Sequence, residues 1–142
     1  MPPAIQKRYL VCGVGFLGSH IVDTLLARGE ERITLLDANF NAYARSAYAD
    51  DKRIKMISGV DIADASAVMA VFTAGFDVVI NTVAKLSFNE RLRHQYKASY
   101  LVNVLGVRNL LQAAQATGVS VFIHTSTSHV HLGMSYLSSL VI

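Results

Sequence analysis

The chain is poor in cysteine, in proline and in long apolar runs. Cys12 is the single cysteine in 142 residues, which excludes an internal disulfide and suits a reducing compartment. The two prolines, Pro2 and Pro3, stand together at the start, and no low-complexity tract or internal repeat marks a linker. No window reaches the roughly 18 apolar residues of a membrane span. The apolar tail over residues 119–142 is broken by serines, threonines and the three histidines His124, His129 and His131. Residues 1–8 hold no apolar stretch that would serve as a signal peptide. Charge is thin as well. The densest basic cluster, Arg91, Arg93 and Lys97, is interrupted by Glu90 and His94 and lacks the aromatic platforms of a nucleic-acid reader. The expectation is a cytoplasmic protein with at most a peripheral membrane contact and no nucleic-acid partner.

What is present is enough apolar residue for a core: 52% of the chain, against 16% charged. The length predicts one domain, residues 1–142, and no second. Apolar runs alternate with helical spacing, the pattern of βαβ units. Strands are expected at 9–12, 33–36, 54–57, 77–81 and 119–123. Helices are expected at 16–28, within 41–50, at 64–72 with Asp64 as N-cap, and as one long helix at 95–117 closing at Gly118. In that long helix Leu101, Val104, Leu105, Leu111 and Ala114 supply the apolar face. With right-handed crossovers this gives an α/β, doubly wound parallel sheet of order 3-2-1-4-5, a Rossmann-type domain lacking its sixth strand.

The most informative string is Val11-Cys12-Gly13-Val14-Gly15-Phe16-Leu17-Gly18. Gly13 lets the chain turn off the first strand, Gly15 lets backbone approach a pyrophosphate, and Gly18 lets the helix pack closely. The helix beginning near Phe16 aims its free N–H groups and its positive end at phosphate. Asp37 answers from the end of the second strand, about 20 residues on, where its carboxylate accepts ribose hydroxyls and repels a 2′-phosphate. Ala38 and Asn39 offer no arginine for such a phosphate, so the reading is NAD over NADP.

At these residues the chain resembles the extended short-chain dehydrogenases/reductases, and within them the 3β-hydroxysteroid dehydrogenase/isomerase type. Gly15-Phe16-Leu17-Gly18-Ser19-His20 is similar to their G-F-[LI]-G-x-x, and Leu36-Asp37 with Phe40 to D-x-x-F. Gly59-Val60-Asp61-Ile62 resembles G-D-[IL], whose acid and next residue lie at the adenine. Asp77 to Ala84 resembles D-V-V-[IF]-H-x-A-A, which implies that Thr82, Val83 and Ala84 pass under the cofactor. Val102-Asn103-Val104-Leu105-Gly106-Val107-Arg108-Asn109-Leu110-Leu111 resembles V-N-V-x-G-T-x-N-[VL]-[LI]. The resemblance gives Asn103 a water near the catalytic lysine; otherwise it is a structural helix asparagine. Phe122-Ile123-His124-Thr125-Ser126-Thr127 resembles F-[IV]-[YH]-[TS]-S-[ST], which makes Ser126 or Thr127 the catalytic hydroxyl, against a reading as strand-end hydroxyls. Three departures stand out. Cys12 lies near the family's first glycine, where a Cβ would crowd the turn; Val107 replaces a threonine; and Lys85 stands where an apolar residue is usual.

The resemblance also implies a Tyr-x-x-x-Lys pair after the fifth strand, and these residues do not supply it. Tyr136 is followed at position 140 by leucine, while Tyr48 with Lys52 lies between the second and third strands and reads as chance. The expectation is the NAD-binding portion of an oxidoreductase that acts on a 3β-hydroxyl of a steroid-like small molecule, truncated before its sixth strand and substrate domain and inactive alone. The motif-bearing segment Leu86-Ser87-Phe88 resembles that family's substrate-side loop. Two alternatives stay open: a non-catalytic nucleotide-binding or interaction module, and an extended dehydrogenase for a nucleotide sugar or flavonoid-type ketone. A chain ending there is expected to expose its fifth strand and last helix, and so to be marginally stable unless a second copy or a partner covers them. A zinc site from the three histidines, and a nucleophilic role for Cys12, are both set aside.

Overall fold

The structure, a computed structural model, describes residues 6–86 and 96–127. Five short strands are rich in the β-branched and apolar residues that favour a buried sheet. They are β1 (Tyr9–Cys12), β2 (Ile33–Asp37), β3 (Ile54–Ser58), β4 (Val78–Asn81) and β5 (Val121–His124). All pair in parallel in the order β3-β2-β1-β4-β5, with Val11 of β1 level with Leu35 of β2 and Ile80 of β4. Helices α1 (Phe16–Ala27), α2 (Ala42–Tyr48), α3 (Ala65–Phe72), α4 (Tyr96–Tyr100) and α5 (Val107–Ala116) make the crossovers, a π-helical stretch Leu101–Gly106 joining the last two.

Because side chains alternate along a strand, the sheet carries two cores. Val11, Leu35 and Ile80 face Val22 and Leu25 of α1 and Ala44 and Tyr48 of α2. Leu10, Cys12, Leu36 and Val79 face Val68 and Phe72 of α3 and Leu110, Ala113 and Ala114 of α5. Each Val, Leu, Ile or Phe among them contributes on the order of 1.5–3 kcal/mol when fully buried. The domain is therefore doubly wound, as the alternation predicts.

The ends of the elements have local causes. Asp64 caps α3 by accepting from the Ser66 and Ala67 N–H groups at 2.9 and 3.1 Å. Gly29 and Gly118 close α1 and α5 with positive φ, and the residue after each donates back into the last turn: Glu30 N–H to the Leu25 carbonyl at 3.1 Å, Val119 N–H to the Ala114 carbonyl at 2.9 Å. That bond takes Val119 into the helix terminus, so β5 begins two residues later than the pattern suggests.

The larger difference lies in the expected single helix. Its described part is α-helical, then π-helical, then α-helical, and the wide turn re-phases it: Leu110, Ala113 and Ala114 face the sheet, while Val104 and Leu111 are 48% and 46% exposed. On the β5 edge Val121 and Ile123 are likewise 41% and 46% exposed. Among the described residues, no helix is long and apolar enough to cross a membrane.

Candidate functional site

The C-terminal ends of β1, β2 and β4 frame the site. Leaving β1, the chain turns at Gly13, whose φ of +84° suits glycine and whose added Cβ would sit 2.8 Å from the Val83 nitrogen. Gly18, one helical turn into α1, lies so close that a Cβ there would drive into the Gly13 carbonyl. Gly15 differs: a Cβ there would meet nothing within 4 Å. It is the N-cap of α1 and offers no side chain to the helix's first N–H groups, which open onto that space.

Two side chains from the β2 loop fix the turn. Asp37 accepts from the Val14 N–H at 2.7 Å with one oxygen and from the Asn39 N–H at 3.0 Å with the other. Asn41 donates to the Val14 carbonyl at 3.3 Å while its own oxygen caps α2 through the Ala44 N–H at 2.8 Å. Both polar groups of Val14 are thus held, and each Asp37 oxygen keeps lone pairs for a further donor.

The opposite wall is the loop after β4. The Thr82 hydroxyl donates to the Gly13 carbonyl at 2.6 Å, tying that loop to the glycine turn. Asn81 is fully buried; its oxygen accepts from the Val83 N–H at 3.1 Å and its amide meets His124 Nδ1 at 3.1 Å. The amide can only donate there, so His124 Nδ1 is the acceptor of that contact. Asn103 brackets Lys85, accepting from its N–H at 2.8 Å and donating to its carbonyl at 2.9 Å. The Lys85 side chain is exposed, which accommodates that departure from the usual apolar residue. The β3 loop is held from the same helix: Asn109 donates to the Ile62 and Ala63 carbonyls at 2.9 and 3.0 Å, and Gly106 leaves the space that Ile62 fills.

These walls enclose a cleft of about 320 Å³. Of the residues singled out from the sequence, Gly13, Gly15, Phe16, Leu17, Gly18, Asp37, Asp61, Ile62, Thr82, Val83 and Ala84 line it. Asn103 does not; it acts one step back, on the Lys85 backbone. Ser126 and Thr127 are exposed and follow β5, whose next residue, Thr125, donates its N–H to the Asn81 carbonyl at 3.1 Å; neither lines the cleft. Leu36, Ala38, Val60 and Val102 also line it and were not singled out as site residues, nor were Asn41 and Asn109. Asn109 carries a signal, being a polar residue on an otherwise apolar helix face; Asn41 has only its N-cap position.

Other expectations resolve by burial. Cys12 ends β1 at 0% exposure, packed in the core, so its Cβ points away from the turn that starts at Gly13 and does not crowd it. Burial, and then the charge of Asp37, push its thiol well above the usual range, the opposite of an activated nucleophile. Tyr48 is buried with its hydroxyl on Asp23 at 2.8 Å, and burial raises its pKa too, so with exposed Lys52 it is no catalytic pair. Ser87, Phe88, Arg91, Arg93, His129, His131, Tyr136 and Leu140 lie outside the described residues. Among the described residues no group of His, Cys, Asp and Glu could hold a metal.

The cleft fits a dinucleotide. Open space over Gly15 at a helix N-terminus suits a diphosphate, and a carboxylate with spare lone pairs at the end of β2 suits a ribose. Among the described residues no lysine or arginine lines the cleft to receive a 2′-phosphate.

A parallel sheet in this order, with a glycine turn and helix N-terminus at its carboxyl ends, defines the Rossmann-type dinucleotide-binding domains. Within them the chain belongs to the NAD dependent epimerase/dehydratase family, whose model matches residues 9–131. It is 35% identical over 124 residues to the 3 beta-hydroxysteroid dehydrogenase/Delta 5-->4-isomerase of Mycobacterium tuberculosis, covering 85% of this chain and 31% of that protein. It is 36% identical over 129 residues to the dTDP-glucose 4,6-dehydratase of Streptomyces antibioticus, covering 86% and 38%. Among solved structures, the Bordetella bronchiseptica enzyme WbmH in complex with NAD+ superposes with a TM-score of 0.71 at 26% identity, covering 87% of this chain and 40% of that one. The chain thus spans about a third of the length of the curated relatives it matches.

Proposed function

We propose that residues 1–142 form the NAD-binding portion of an oxidoreductase that oxidises a 3β-hydroxyl on a steroid or sterol-like substrate. The observation that carries the cofactor reading is Asp37: fixed by two backbone N–H groups at the mouth of the glycine turn, it keeps lone pairs for the hydroxyls of an unphosphorylated ribose. The steroid reading rests on the hydroxysteroid dehydrogenase relative.

In this reading the α1 N-terminus and the turn Gly13, Gly15, Phe16, Leu17 and Gly18 bind the diphosphate. Asp61 and Ile62 border the adenine, and Thr82, Val83 and Ala84 support the nicotinamide half. When bound, the dinucleotide supplies the acceptor for the substrate's hydride. Asn103 keeps the β4 loop in place by holding Lys85 on both backbone groups. A hydroxyl of Ser126 or Thr127 holds the substrate oxygen, and the base that takes its proton is not among these residues, so the chain alone binds nucleotide without turnover. We further infer a cytoplasmic protein and, for the chain by itself, a second copy or a partner protein over the exposed β5 edge.

The test is calorimetric titration of the chain with NAD and NADP, then an assay of the complete gene product for NADH formation on 3β-hydroxysteroids. Tight NAD binding, weak NADP binding and NADH from the steroid are expected. Failure to bind NAD sinks the cofactor reading; binding without steroid turnover sinks only the substrate. The second reading, a nucleotide-sugar enzyme, is favoured by the comparable identity to the dTDP-glucose dehydratase, and turnover of dTDP-glucose in place of the steroid would select it.

A further inference from the structure

At the end of the sheet away from the nucleotide cleft, an arginine precedes each of three adjacent strands: Arg8 before β1, Arg32 before β2 and Arg53 before β3. The backbone puts them side by side. The Tyr9 N–H donates to the Arg32 carbonyl at 2.9 Å and the Ile33 N–H to the Arg53 carbonyl at 3.0 Å. With neighbouring strands about 4.8 Å apart, the three leave the sheet in a row spanning roughly 10 Å. Together with Lys52 and Lys55 they line a cleft of about 280 Å³.

The outer arginines are anchored. Asp77 takes Arg8 on Nε at 3.1 Å and on its terminal nitrogen at 3.0 Å, and Gly75 leaves the room this needs, since a Cβ there would lie 2.7 Å from the guanidinium. Asp51 takes Arg53 at 3.0 and 2.7 Å, and the Leu26 carbonyl accepts a further bond at 3.3 Å. Arg32, Lys52 and Lys55 are exposed and have no carboxylate partner among the described residues. Glu31 acts on Arg53, and the Asp77 carboxylate also feels the charge of Arg32. Like charges gathered this closely repel one another in the free protein. The carboxylates pair with the two flanks; Arg32, which Asp77 attracts through space without a salt bridge, and the two lysines are left for an outside anion.

We propose that this rim is a second binding site, for a small soluble anion carrying clustered phosphate groups. The Arg32 guanidinium fork, flanked by the two lysines, matches phosphate oxygens, and a concave site formed by three strand ends and the α3–β4 turn suits a compact ligand. The anchored arginines are preset by their aspartates, so binding orders chiefly Arg32 and the two lysines. Nothing in the nucleotide cleft is needed for it.

The test is amide NMR of the full chain titrated with inorganic triphosphate at low salt, repeated for R32E/K55E, with a thermal melt as the check that the exposed substitutions leave the fold intact. Expected are shifts at residues 32–34, 52–55 and 74–76 that fade as salt rises, and at least about a tenfold loss of affinity in the variant. R32Q alone, which removes charge without reversing it, gives a smaller loss in the same direction. Shifts confined to residues 13–18, no shifts, or equal affinity in the variants would overturn the proposal. Sedimentation with phosphatidylglycerol vesicles that triphosphate does not displace would overturn it too, by making a membrane the source of phosphate.

Discussion

Replacing Gly15 and Gly18 by alanine separates folding from binding within a single turn. At Gly15 the added methyl meets nothing within 4 Å, and its φ of −84° is open to any residue. Alanine is a poorer N-cap than glycine, but it also removes freedom from the unfolded chain. These effects oppose each other at about 0.4–1 kcal/mol each, so the melting temperature should move by less than about 2 °C. That methyl stands where a diphosphate would approach the first N–H groups of α1. Losing one bond to a charged group, about 1.5–3 kcal/mol, weakens NAD binding roughly 10- to 100-fold. Gly18→Ala behaves in the opposite way. Alanine gains about 1 kcal/mol in helix propensity, yet the clash is with the Gly13 backbone carbonyl, which has no rotamer to escape to. Overpacking costs of about 1–3 kcal/mol or more outweigh that gain, and at about 2–4 °C per kcal/mol the melt falls by several degrees. Melts followed by circular dichroism and NAD titration by calorimetry read both quantities. If Gly15→Ala binds NAD as the parent does, the open space over Gly15 is not where the diphosphate sits, and the account of the cleft is wrong.

Further outcomes follow from the same geometry. Asp37→Ala leaves the Val14 N–H without its acceptor and should lower stability by about 1–2 kcal/mol while reducing the preference for NAD over NADP, checked by denaturant titration and paired nucleotide titrations. The Arg8 guanidinium holds the Asp77 carboxyl down to about 2 from the ordinary 3.8; a pKa lowered on folding contributes stability above the higher value. The melting temperature should therefore be steady above about pH 4 and fall between about pH 4 and 2, less steeply in Asp77→Asn; an identical acid profile in that variant would remove the pair from the account. Cys12, fully buried, should resist iodoacetamide in the native protein and react once urea unfolds it, as followed by mass spectrometry. Tyr48→Phe deletes a buried hydroxyl bonded to Asp23 and should cost about 1–2 kcal/mol in denaturant titration without changing NAD affinity.

The sheet was legible because each strand is an apolar run between turn residues, and the glycine turn after β1 answered by Asp37 at the end of β2 points to the Rossmann order among those that right-handed crossovers allow. The glycine turn, Asp37 and the Asp64 cap were legible for the same kind of reason: each is a residue type that its position demands. The π-helical stretch was not. An α-helix and one that gains a single residue in a wide turn share nearly the same apolar spacing, so Val104 and Leu111 read as inward-facing. Asn41 escaped notice because its Val14 partner is a backbone group 27 residues away; Asn109 stood out as a polar residue in the motif, but its partners, 46–47 residues away, leave no trace in local sequence. Asn103 was noticed, yet its hold on Lys85 depends on the phase that the wide turn sets.

That helix carries more than a crossover. Its π-helical stretch grips the loop after β4 through Asn103, and Gly106 with Asn109 in the first turn of α5 grips the loop after β3. Those loops are two walls of the same cleft. Hung from one rod, they cannot drift apart independently, so the helix acts as a spacer that gauges how wide the nucleotide slot stands. The wide turn lets one rod present both grips at the angles they need. Deleting a residue there would turn one grip by about 100° relative to the other. A change remote from any ligand would then alter the slot's width while every residue lining it stayed the same.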